Sequence, residues 1–263
     1  MNQKSETARL VCVLTVAGSD SSGGAGIQAD LKTFHDLGVP GLSVITALTS
    51  QNSQGVTHIH STPLKSLKGQ LEAVDSDFQI AAAKTGMMPT GGIVSAVARF
   101  FMSRPQIRMV VDPVLTSTAG ASLRLEDTTK ALIRDLVPLA SLVTPNLEEA
   151  QALADAAETN GERLARRLWN LFHVPFLVKG GHGKGETVRD IFIADGRMRV
   201  FTSPRLPGEY HGTGCILSSA IAAHLAGGQA LPEAVSLGRR FLQEVLRSAV
   251  IPGKSKLRYL LMG

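Results

Sequence analysis

Short apolar runs alternate with longer amphipathic stretches along most of the chain. The apolar runs, which predict buried strands, are Leu10–Ala17, Ser43–Leu48, Ile80–Thr85, Met109–Val114, Ser141–Thr144 and Phe176–Lys179. The stretches with helical periodicity between them are Ala25–Leu37, Leu64–Val74, Ile93–Met102, Thr128–Leu136 and Gly161–Phe172. Strands that are apolar throughout and are separated by helices indicate a parallel sheet with helices on both faces. Because such crossovers are right-handed, the pattern predicts an open, doubly wound α/β sheet.

The last third of the chain departs from this alternation. Two short segments, Asp190–Ala194 and Arg197–Thr202, flank Asp195-Gly196, a dipeptide that favours a two-residue hairpin turn. We therefore expect an antiparallel pair late in a mostly parallel sheet. Two more helices are predicted after it, at Gly214–Ala226 and Pro232–Val250.

Length and composition favour one α/β enzyme domain. The chain has 263 residues, of which 44% are hydrophobic and 19% are charged, and this excludes general disorder. Neither a repeat nor a long linker divides the sequence. We expect a single domain over residues 1–263 with a core at about residues 10–250. The tail Ile251–Gly263 is basic and mixed, and the pattern assigns it no role.

The two cysteines and the N-terminal segment bear on the cellular compartment. Cys12 and Cys215 lie far apart and form no CxxC pair, which argues against a disulfide scaffold and a structural zinc site. The apolar run Leu10–Ala17 is too short to cross a membrane, and no small-residue cleavage pattern follows it. We expect a cytoplasmic protein with no membrane partner.

The charge distribution says little about the ligand. A net charge of +5, from 27 Lys and Arg against 22 Asp and Glu, permits anionic partners without choosing among them. A basic nucleic-acid-binding module is the interpretation from a different functional class. The lysines and arginines of this chain are scattered, however, and aromatic residues make up only 5% of it. We therefore expect no nucleic-acid partner.

The first candidate ligand loop, Gly18–Gly26, directly follows the first predicted strand. Its four glycines in nine residues let the backbone approach a ligand closely, although a flexible strand-to-helix turn is the alternative interpretation. The glycines do not spell G-x-G-x-x-G. The nearest approach to a Walker A motif, Gly180–Thr187, has Glu186 where a lysine is required. Both common nucleotide motifs are therefore excluded.

A second candidate loop, His211–Cys215, leads straight into an apolar helix. Glycines at a helix N-terminus expose backbone N–H groups, and the helix dipole adds positive potential, an arrangement that suits an oxyanion or a transferring phosphoryl group. The same field would favour the thiolate of Cys215. An ordinary glycine-rich cap beside a buried cysteine is the alternative.

Polar residues follow three further strands. Asp112 ends an apolar strand and could hold Mg²⁺ or its waters, or could cap the next turn. Asn146 and Glu149 could order metal-bound water, or could form a capping box at the start of a helix. Lys179 could contact phosphates, or could extend along the surface to water.

Seven blocks containing these loops follow one another along the chain. They are Val16–Phe34, Ser43–Asn52, Lys84–Met87, Val111–Val114, Thr144–Ala150, Val178–His182 and His211–Cys215. In content and order they resemble the hydroxymethylpyrimidine/phosphomethylpyrimidine kinases, which belong to the ribokinase-like superfamily and serve thiamine biosynthesis. The resemblance implies a ribokinase-like three-layer α/β/α fold. It also implies phosphorylation, by ATP with Mg²⁺, of 4-amino-5-hydroxymethyl-2-methylpyrimidine and then of its monophosphate to the pyrophosphate.

The resemblance implies a pyrimidine pocket at one side of the site. Its residues would be Gly18, Ala25, Asp30, Gln51, Met87 and His211. Gln51 would hydrogen-bond the aminopyrimidine edge, because a carboxamide offers a donor and an acceptor side by side. Asp30 would lie near the hydroxymethyl group of the substrate.

On the donor side the resemblance implies a site for ATP and Mg²⁺. Asp112, Asn146 and Glu149 would organise the metal and the phosphates, with Lys179 nearby and with Asp112 and Glu149 reaching the metal through water. The anion hole for the transferred γ-phosphoryl group would be formed by Gly212, Thr213 and Gly214.

Cys215 occupies the place where most ribokinase-like sugar kinases carry an aspartate base. Transfer to an alcohol benefits from a base, whereas a substrate phosphate is already anionic near pH 7. We therefore expect the second phosphorylation to be the better supported of the two, and Cys215→Ala to lower the alcohol step more than the phosphate step.

The sequence departs from the family pattern in two places. Many relatives carry an Ala-Lys-Ser-Gly loop where this chain reads Ser117–Gly120, so the phosphate contact of that lysine is absent. The role of the loop Thr116–Gly120 is therefore open. The tail also lacks the glycine-rich close of relatives, and we carry no site residue into it.

Alternatives within the superfamily stay open. A pyridoxal kinase acts on a similar hydroxymethyl-bearing ring, and Gln51-Asn52 and Thr213 favour the thiamine enzyme over it. A sugar kinase would want an acid where Cys215 stands. An apolar sheet edge and the family resemblance together predict a homodimer.

Overall fold

The structure is a computed structural model that describes residues 10–115, 127–181 and 185–262. Its main sheet has nine strands. They are β1 (Cys12–Asp20), β2 (Gly41–Asn52), β3 (Gly55–Ser61), β4 (Ile80–Thr85), β5 (Arg108–Val111), β6 (Leu142–Val143), β7 (Phe176–Val178), β8 (Thr187–Ala194) and β9 (Arg197–Pro204). A separate two-stranded sheet pairs β10 (Tyr210–His211) with β11 (Arg258–Tyr259).

The main sheet has the strand order β3-β2-β1-β4-β5-β6-β7-β8-β9. Its six central strands are all parallel to one another, namely β2, β1, β4, β5, β6 and β7. The hairpin β8–β9 turns at Asp195-Gly196 and is antiparallel, which confirms the predicted late hairpin. At the opposite edge β3 pairs antiparallel with β2, an element that the sequence pattern did not predict.

Eight α-helices occur in the described part of the chain and cover both faces of the sheet. They are α1 (Gly26–Asp36), α2 (Leu64–Asp75), α3 (Gly91–Met102), α4 (Asp127–Ala131), α5 (Leu147–Ala154), α6 (Gly161–Phe172), α7 (Thr213–Ala226) and α8 (Leu231–Val245). One hydrophobic cluster joins α2 to α6 with one face of the sheet, and a second joins α1, α7 and α8 with the other.

Consecutive strand residues alternate between these two clusters. Leu14 and Val16 pack on the side of α2 to α6, and Val13 packs on the side of α1, α7 and α8. All three side chains are fully buried, as expected for a strand that is apolar on both sides. The three-layer α/β/α architecture predicted from the sequence is therefore confirmed.

Two predicted helices differ at their ends. The stretch Thr128–Leu136 is not one α-helix, because α4 passes into a π-helical turn over Leu132–Leu136 and then a 3₁₀ turn at Val137–Leu139. Pro138 lies in that 3₁₀ turn and cannot continue an α-helical hydrogen-bond pattern. Helix α8 ends at Val245 rather than Val250, since Val250 is extended and bonds to Tyr259.

Candidate active site

A cleft of about 740 Å³ lies beyond the carboxyl ends of the parallel strands. It extends from the loop after β1 and the end of β2 to the space between the β8–β9 hairpin and helix α8. Twelve of the fourteen residues predicted for the site line this cleft: Gly18, Ala25, Gln51, Met87, Asp112, Asn146, Glu149, Lys179, Gly212, Thr213, Gly214 and Cys215. The other two, Asp30 and His211, lie behind its wall.

The N-terminus of helix α7 forms the middle of the cleft. Its cap Gly212 has φ +79°, and a Cβ there would lie 1.9 Å from the carbonyl oxygen of Gly24, so the position requires glycine. The N–H groups of the first helical turn, at Thr213, Gly214 and Cys215, have no partner within the helix. Together with the helix dipole they can bind the oxygens of a phosphoryl group.

Asp112 and Lys179 form an ion pair beside this turn. Lys179 Nζ lies 2.8 Å from Asp112 Oδ1, and Ser218 donates a hydrogen bond of 3.1 Å to Asp112 Oδ2. Burial would raise the pKa of Asp112, but Lys179 and the buried Lys84 outweigh this effect and lower it. Asp112 is therefore an ionised carboxylate at the carboxyl end of β5. Its side chain lines the cleft.

Asn146 and Glu149 form the capping box that was one of their two interpretations. The Asn146 side chain accepts the N–H of Glu149, and Glu149 accepts the N–H of Asn146, each at 2.8 Å. Burial, together with nearby Asp112, raises the pKa of Glu149 to about 7 although Lys179 opposes the shift. Both side chains also line the cleft, so capping and ligand binding are compatible at this helix start.

The donor side of the cleft suits a magnesium ion that is held mostly by nucleotide phosphates. Asp112 and Glu149 each have an oxygen within 4.0 Å of Lys179 Nζ. No cluster of three or more His, Cys, Asp and Glu side chains within residues 10–115, 127–181 and 185–262 could form a metal cage. Mg²⁺ commonly takes one or two carboxylates and completes its shell with water and phosphate oxygens. The two carboxylates fit that arrangement.

Beneath the cleft, Asp30 and Lys84 form a fully buried ion pair. Lys84 Nζ lies 2.9 Å from each oxygen of Asp30, which also accepts hydrogen bonds from Thr15 and Ser219. Burial would lower the pKa of Lys84, but Asp30 outweighs it and the pKa is raised. Asp30 is therefore enclosed by its partners and does not line the pyrimidine pocket, contrary to the sequence expectation, whereas Lys84 does reach the cleft.

Of the two interpretations of Cys215, a neutral thiol is favoured over a thiolate. Burial raises the pKa of the thiol to about 11, and the nearby carboxylates Asp30 and Asp112 add to this. Lys84 and the N–H of Gly26 act in the opposite direction but do not prevail. The helix dipole by itself favours a thiolate, but its effect at the first turn is smaller than the cost of desolvating the charged sulfur.

At the acceptor end, Gln51 and His211 meet around Asp20. His211 Nε2 lies 2.9 Å from Asp20 Oδ2 and 3.0 Å from the side-chain nitrogen of Gln51. Burial would raise the pKa of Asp20, but hydrogen bonds from His211 and Ser22 lower it to about 2. Gln51 and Asp20 line the cleft, and His211 is buried directly behind them. Asp20 is a polar residue of this site that the sequence analysis did not single out.

The C-terminal tail packs behind the same end of the cleft, and none of its described residues lines the cleft itself. Tyr259 in β11 donates a hydrogen bond of 2.9 Å to Ser22, and its ring centroid lies 5.1 Å from that of His211. No pattern in the tail indicates this contact, since Tyr259 is a single aromatic residue in a mixed, basic segment.

Two sequence predictions lie outside the described residues. They concern the loop Thr116–Gly120 and His182, the last residue of one sequence block. Where the structure does describe the chain, none of the helices has the length and apolar character needed to cross a membrane.

The chain matches a known family over most of its length. A family model described as phosphomethylpyrimidine kinase covers residues 20–259. The hydroxymethylpyrimidine/phosphomethylpyrimidine kinase of Haemophilus influenzae is 44% identical over 238 residues, which are 88% of this chain and 88% of that protein.

Two solved structures show the same architecture. Phosphomethylpyrimidine kinase from Clostridium difficile 630 superposes with a TM-score of 0.79 at 38% identity, over 90% of this chain and 99% of that one. An ADP complex of Bacillus subtilis pyridoxal kinase superposes with a TM-score of 0.88 at 29% identity, over 96% and 97% of the two chains.

Proposed function

The chain belongs to the phosphomethylpyrimidine kinase family, and on that premise we propose that its cleft transfers the γ-phosphoryl group of ATP to 4-amino-5-hydroxymethyl-2-methylpyrimidine and then to the monophosphate, in thiamine biosynthesis. One observation carries the proposal for the site. The N-terminus of α7, which can bind an oxyanion, touches both sides of the cleft, because Gly212 packs against Gly24 in the loop of the acceptor end and Gly214 lies beside Lys179 and Asp112. A phosphoryl group in the middle of the cleft would thus have its acceptor on one side and its donor on the other.

The acceptor binds at the end of the cleft formed by Gly18, Ala25, Gln51 and Met87. This wall combines apolar contacts with one carboxamide, which suits a flat heteroaromatic ring with an amino group and a ring nitrogen along one edge. Met87 packs with Ala47, so the pocket floor is held by the core of the sheet. The reactive oxygen of the acceptor then faces the first turn of α7.

The nucleotide binds in the part of the cleft that runs toward α8. Its far end is lined by apolar side chains such as Val188, Leu217 and Leu242, which suit a nucleobase. The triphosphate extends from there toward Lys179 and the N–H groups of Thr213 and Gly214. Lys179 and the helix N-terminus place positive charge beside the oxygens of the transferred phosphoryl group. This stabilises the negative charge on those oxygens during the transfer.

We propose that Mg²⁺ is held here by Asp112 and Glu149 through water, together with the phosphates of ATP. A bound Mg²⁺ neutralises charge that accumulates on the phosphoryl oxygens. Asn146 keeps Glu149 in place through the capping box, and Lys179 keeps Asp112 in place through their ion pair. The protein's own part in the transfer is therefore mostly positioning and charge stabilisation, the usual basis of phosphoryl transfer.

Cys215→Ala is predicted to separate the two steps. The alcohol must lose a proton and the substrate phosphate need not, so we expect roughly a ten-fold loss in the alcohol step and at most a two- to three-fold loss in the phosphate step. Because the pKa of Cys215 is raised to about 11, the thiolate fraction grows with pH throughout the neutral range. Glu149, whose pKa is raised to about 7, also titrates in this range in both proteins, so the alcohol step should accelerate more steeply from pH 7 to pH 9 in the wild type than in Cys215→Ala.

Steady-state rates with each acceptor over that pH range check this prediction. Cys12→Ala serves as the control, because Cys12 is a buried strand residue far from the cleft. Equal losses in both steps, or the same pH slope in the wild type and in Cys215→Ala, would exclude Cys215 as the proton acceptor.

The proposed function is tested by ranking acceptors. ADP release would be measured with the hydroxymethylpyrimidine, its monophosphate and pyridoxal at matched concentrations. We expect both pyrimidines to stimulate ATP turnover well above pyridoxal. Pyridoxal is the rival acceptor because the fold superposes closely on a pyridoxal kinase. A higher kcat/KM for pyridoxal than for the pyrimidines would assign pyridoxal kinase activity instead. Nucleic-acid binding without ATP turnover that any acceptor stimulates would contradict kinase activity altogether.

We also propose that the protein forms a homodimer. Leu48 is exposed on β2, next to the edge strand β3, and its side chain is the kind of apolar group that a partner would cover. Light scattering coupled to gel filtration measures the mass directly. A dimer is expected at twice 27.8 kDa, and Leu48→Glu should shift the population toward monomer. A monomeric wild type would reject the proposal.

A cytoplasmic location is proposed as well. Its support is the unpaired state of both cysteines, Cys12 and Cys215, since free thiols persist in a reducing compartment. Cell fractionation would test it, and recovery with an oxidising compartment would contradict it.

A further inference from the structure

The C-terminal strand is tied by its backbone to the loop that precedes α7. In β11, Tyr259 lies opposite His211 of β10, and the N–H of Arg258 donates a hydrogen bond of 2.8 Å to Glu209. On its other side Tyr259 exchanges two backbone hydrogen bonds with Val250, at 2.7 and 2.9 Å. The backbone of Tyr259 is thereby fixed from both sides.

The Tyr259 side chain packs against the glycine-rich loop after β1. It is 8% exposed, and its hydroxyl donates to Ser22 at 2.9 Å while its ring meets that of His211 at an angle of 62°. Gly24 passes so close to both rings that a Cβ there would lie 2.3 Å from His211 and 2.6 Å from Tyr259. The path of the loop past the tail is thus set by van der Waals contact as well as by a hydrogen bond.

These contacts continue to the residues that line the acceptor end. Ser22 donates both its hydroxyl and its N–H to Asp20 at 2.8 Å, and the other oxygen of Asp20 lies 2.9 Å from His211. His211 then lies 3.0 Å from the Gln51 carboxamide. Every step from Tyr259 to Gln51 is a short polar or ring contact.

We propose that Tyr259 is a positioning residue for the acceptor, and that it acts through Ser22 and His211 on Gln51. Tyr259 itself does not line the cleft, so it does so without touching the substrate. The identity of the acceptor rests on the proposed function, whereas the contacts from Tyr259 to Gln51 do not depend on it. Loss of the tyrosine should loosen the acceptor end and leave the nucleotide end, which is formed by other elements, unchanged.

The test compares two substitutions at Tyr259 with one beside it. Tyr259→Leu removes the ring and the hydroxyl, and we expect its KM for the pyrimidine to rise roughly ten-fold with the KM for ATP changed less than two-fold. Tyr259→Phe keeps the ring and loses only the bond to Ser22, so a rise of about two- to three-fold is expected. Leu260→Ala is the matched control, since Leu260 is 5% exposed and packs with Ile216 and Ala29 instead of the loop.

If Tyr259 only stabilised the fold, its substitution would lower the melting temperature without a selective rise in the KM for the pyrimidine. If Tyr259→Leu and Leu260→Ala lower the melting temperature alike and neither changes the ratio of the two KM values, the inference is overturned. Tyr259→Phe keeps the test decisive if the leucine variant does not fold.

Amide hydrogen exchange over residues 18–26 separates this inference from the proposed function, because it needs no substrate. Faster exchange in Tyr259→Leu than in Leu260→Ala is expected. Faster exchange in an enzyme without pyrimidine turnover would reject the proposed function and keep the positioning contact. Unchanged exchange would reject the positioning contact itself.

Discussion

Asp112→Asn is expected to lower kcat roughly 10²- to 10³-fold for both acceptors, with little change in the KM for the pyrimidine. The substitution keeps the shape of the side chain and its ability to accept a hydrogen bond from Ser218, but it removes the charge. That charge pairs with Lys179 and is one of two carboxylates proposed for the magnesium site. Because the pKa of Asp112 is lowered, the wild-type group is charged at neutral pH and the comparison is between an anion and a neutral amide.

Single-turnover kinetics at several Mg²⁺ concentrations would measure this effect. If Asp112 acts through the metal, the variant should require more Mg²⁺ for half-maximal rate. Asp195→Asn, in the exposed turn of the β8–β9 hairpin, is the matched control and should retain full activity. A kcat for Asp112→Asn within about five-fold of the wild type would show that the reaction does not depend on this carboxylate.

Lys84→Met is expected to lower the free energy of unfolding by about 3–5 kcal/mol. The substitution leaves Asp30 as an uncompensated anion in a place where neither side chain is exposed to water. Urea denaturation followed by circular dichroism measures the loss. Restoring neutrality with Lys84→Met/Asp30→Asn should recover part of it, because the double variant no longer buries an unpaired charge.

An exposed ion pair provides the control for this prediction. Arg189 and Glu162 are also 2.9 Å apart, but their side chains are 58% and 46% exposed. Arg189→Met should therefore cost less than about 1 kcal/mol. If Lys84→Met were no more destabilising than Arg189→Met, or if the double variant were less stable than Lys84→Met alone, Lys84 would not be needed to compensate the buried charge of Asp30.

Much of the fold could be predicted from the pattern of apolar residues. Strands such as Met109–Val111 in β5 are buried on both faces, so an uninterrupted apolar run identifies them. The edge strand β3 could not be identified in this way, because none of its residues Gly55–Ser61 is buried and two histidines stand among few apolar residues. Strands β10 and β11 have two residues each, and their pairing depends on contacts between distant parts of the chain.

The candidate site was predictable as far as it follows from loops at strand ends. Parallel strands place those loops at one edge of the sheet, which is why Asp112, Lys179 and Gly212–Gly214 meet there. The sequence does not show how deeply each of these side chains is buried. Asp30 turned out to be enclosed by Lys84, and the thiol of Cys215 to be neutral, because both outcomes depend on burial and on neighbours far along the chain.

The identity of the transferred group and of its acceptor is tested most directly by phosphorus NMR of the products. The enzyme would be incubated with ATP, Mg²⁺ and the pyrimidine monophosphate, and in a second sample with the hydroxymethylpyrimidine. The proposed function predicts ADP and the pyrimidine pyrophosphate in equal amounts from the first sample, and the monophosphate followed by the pyrophosphate from the second. ADP without a phosphorylated pyrimidine in either sample would contradict it.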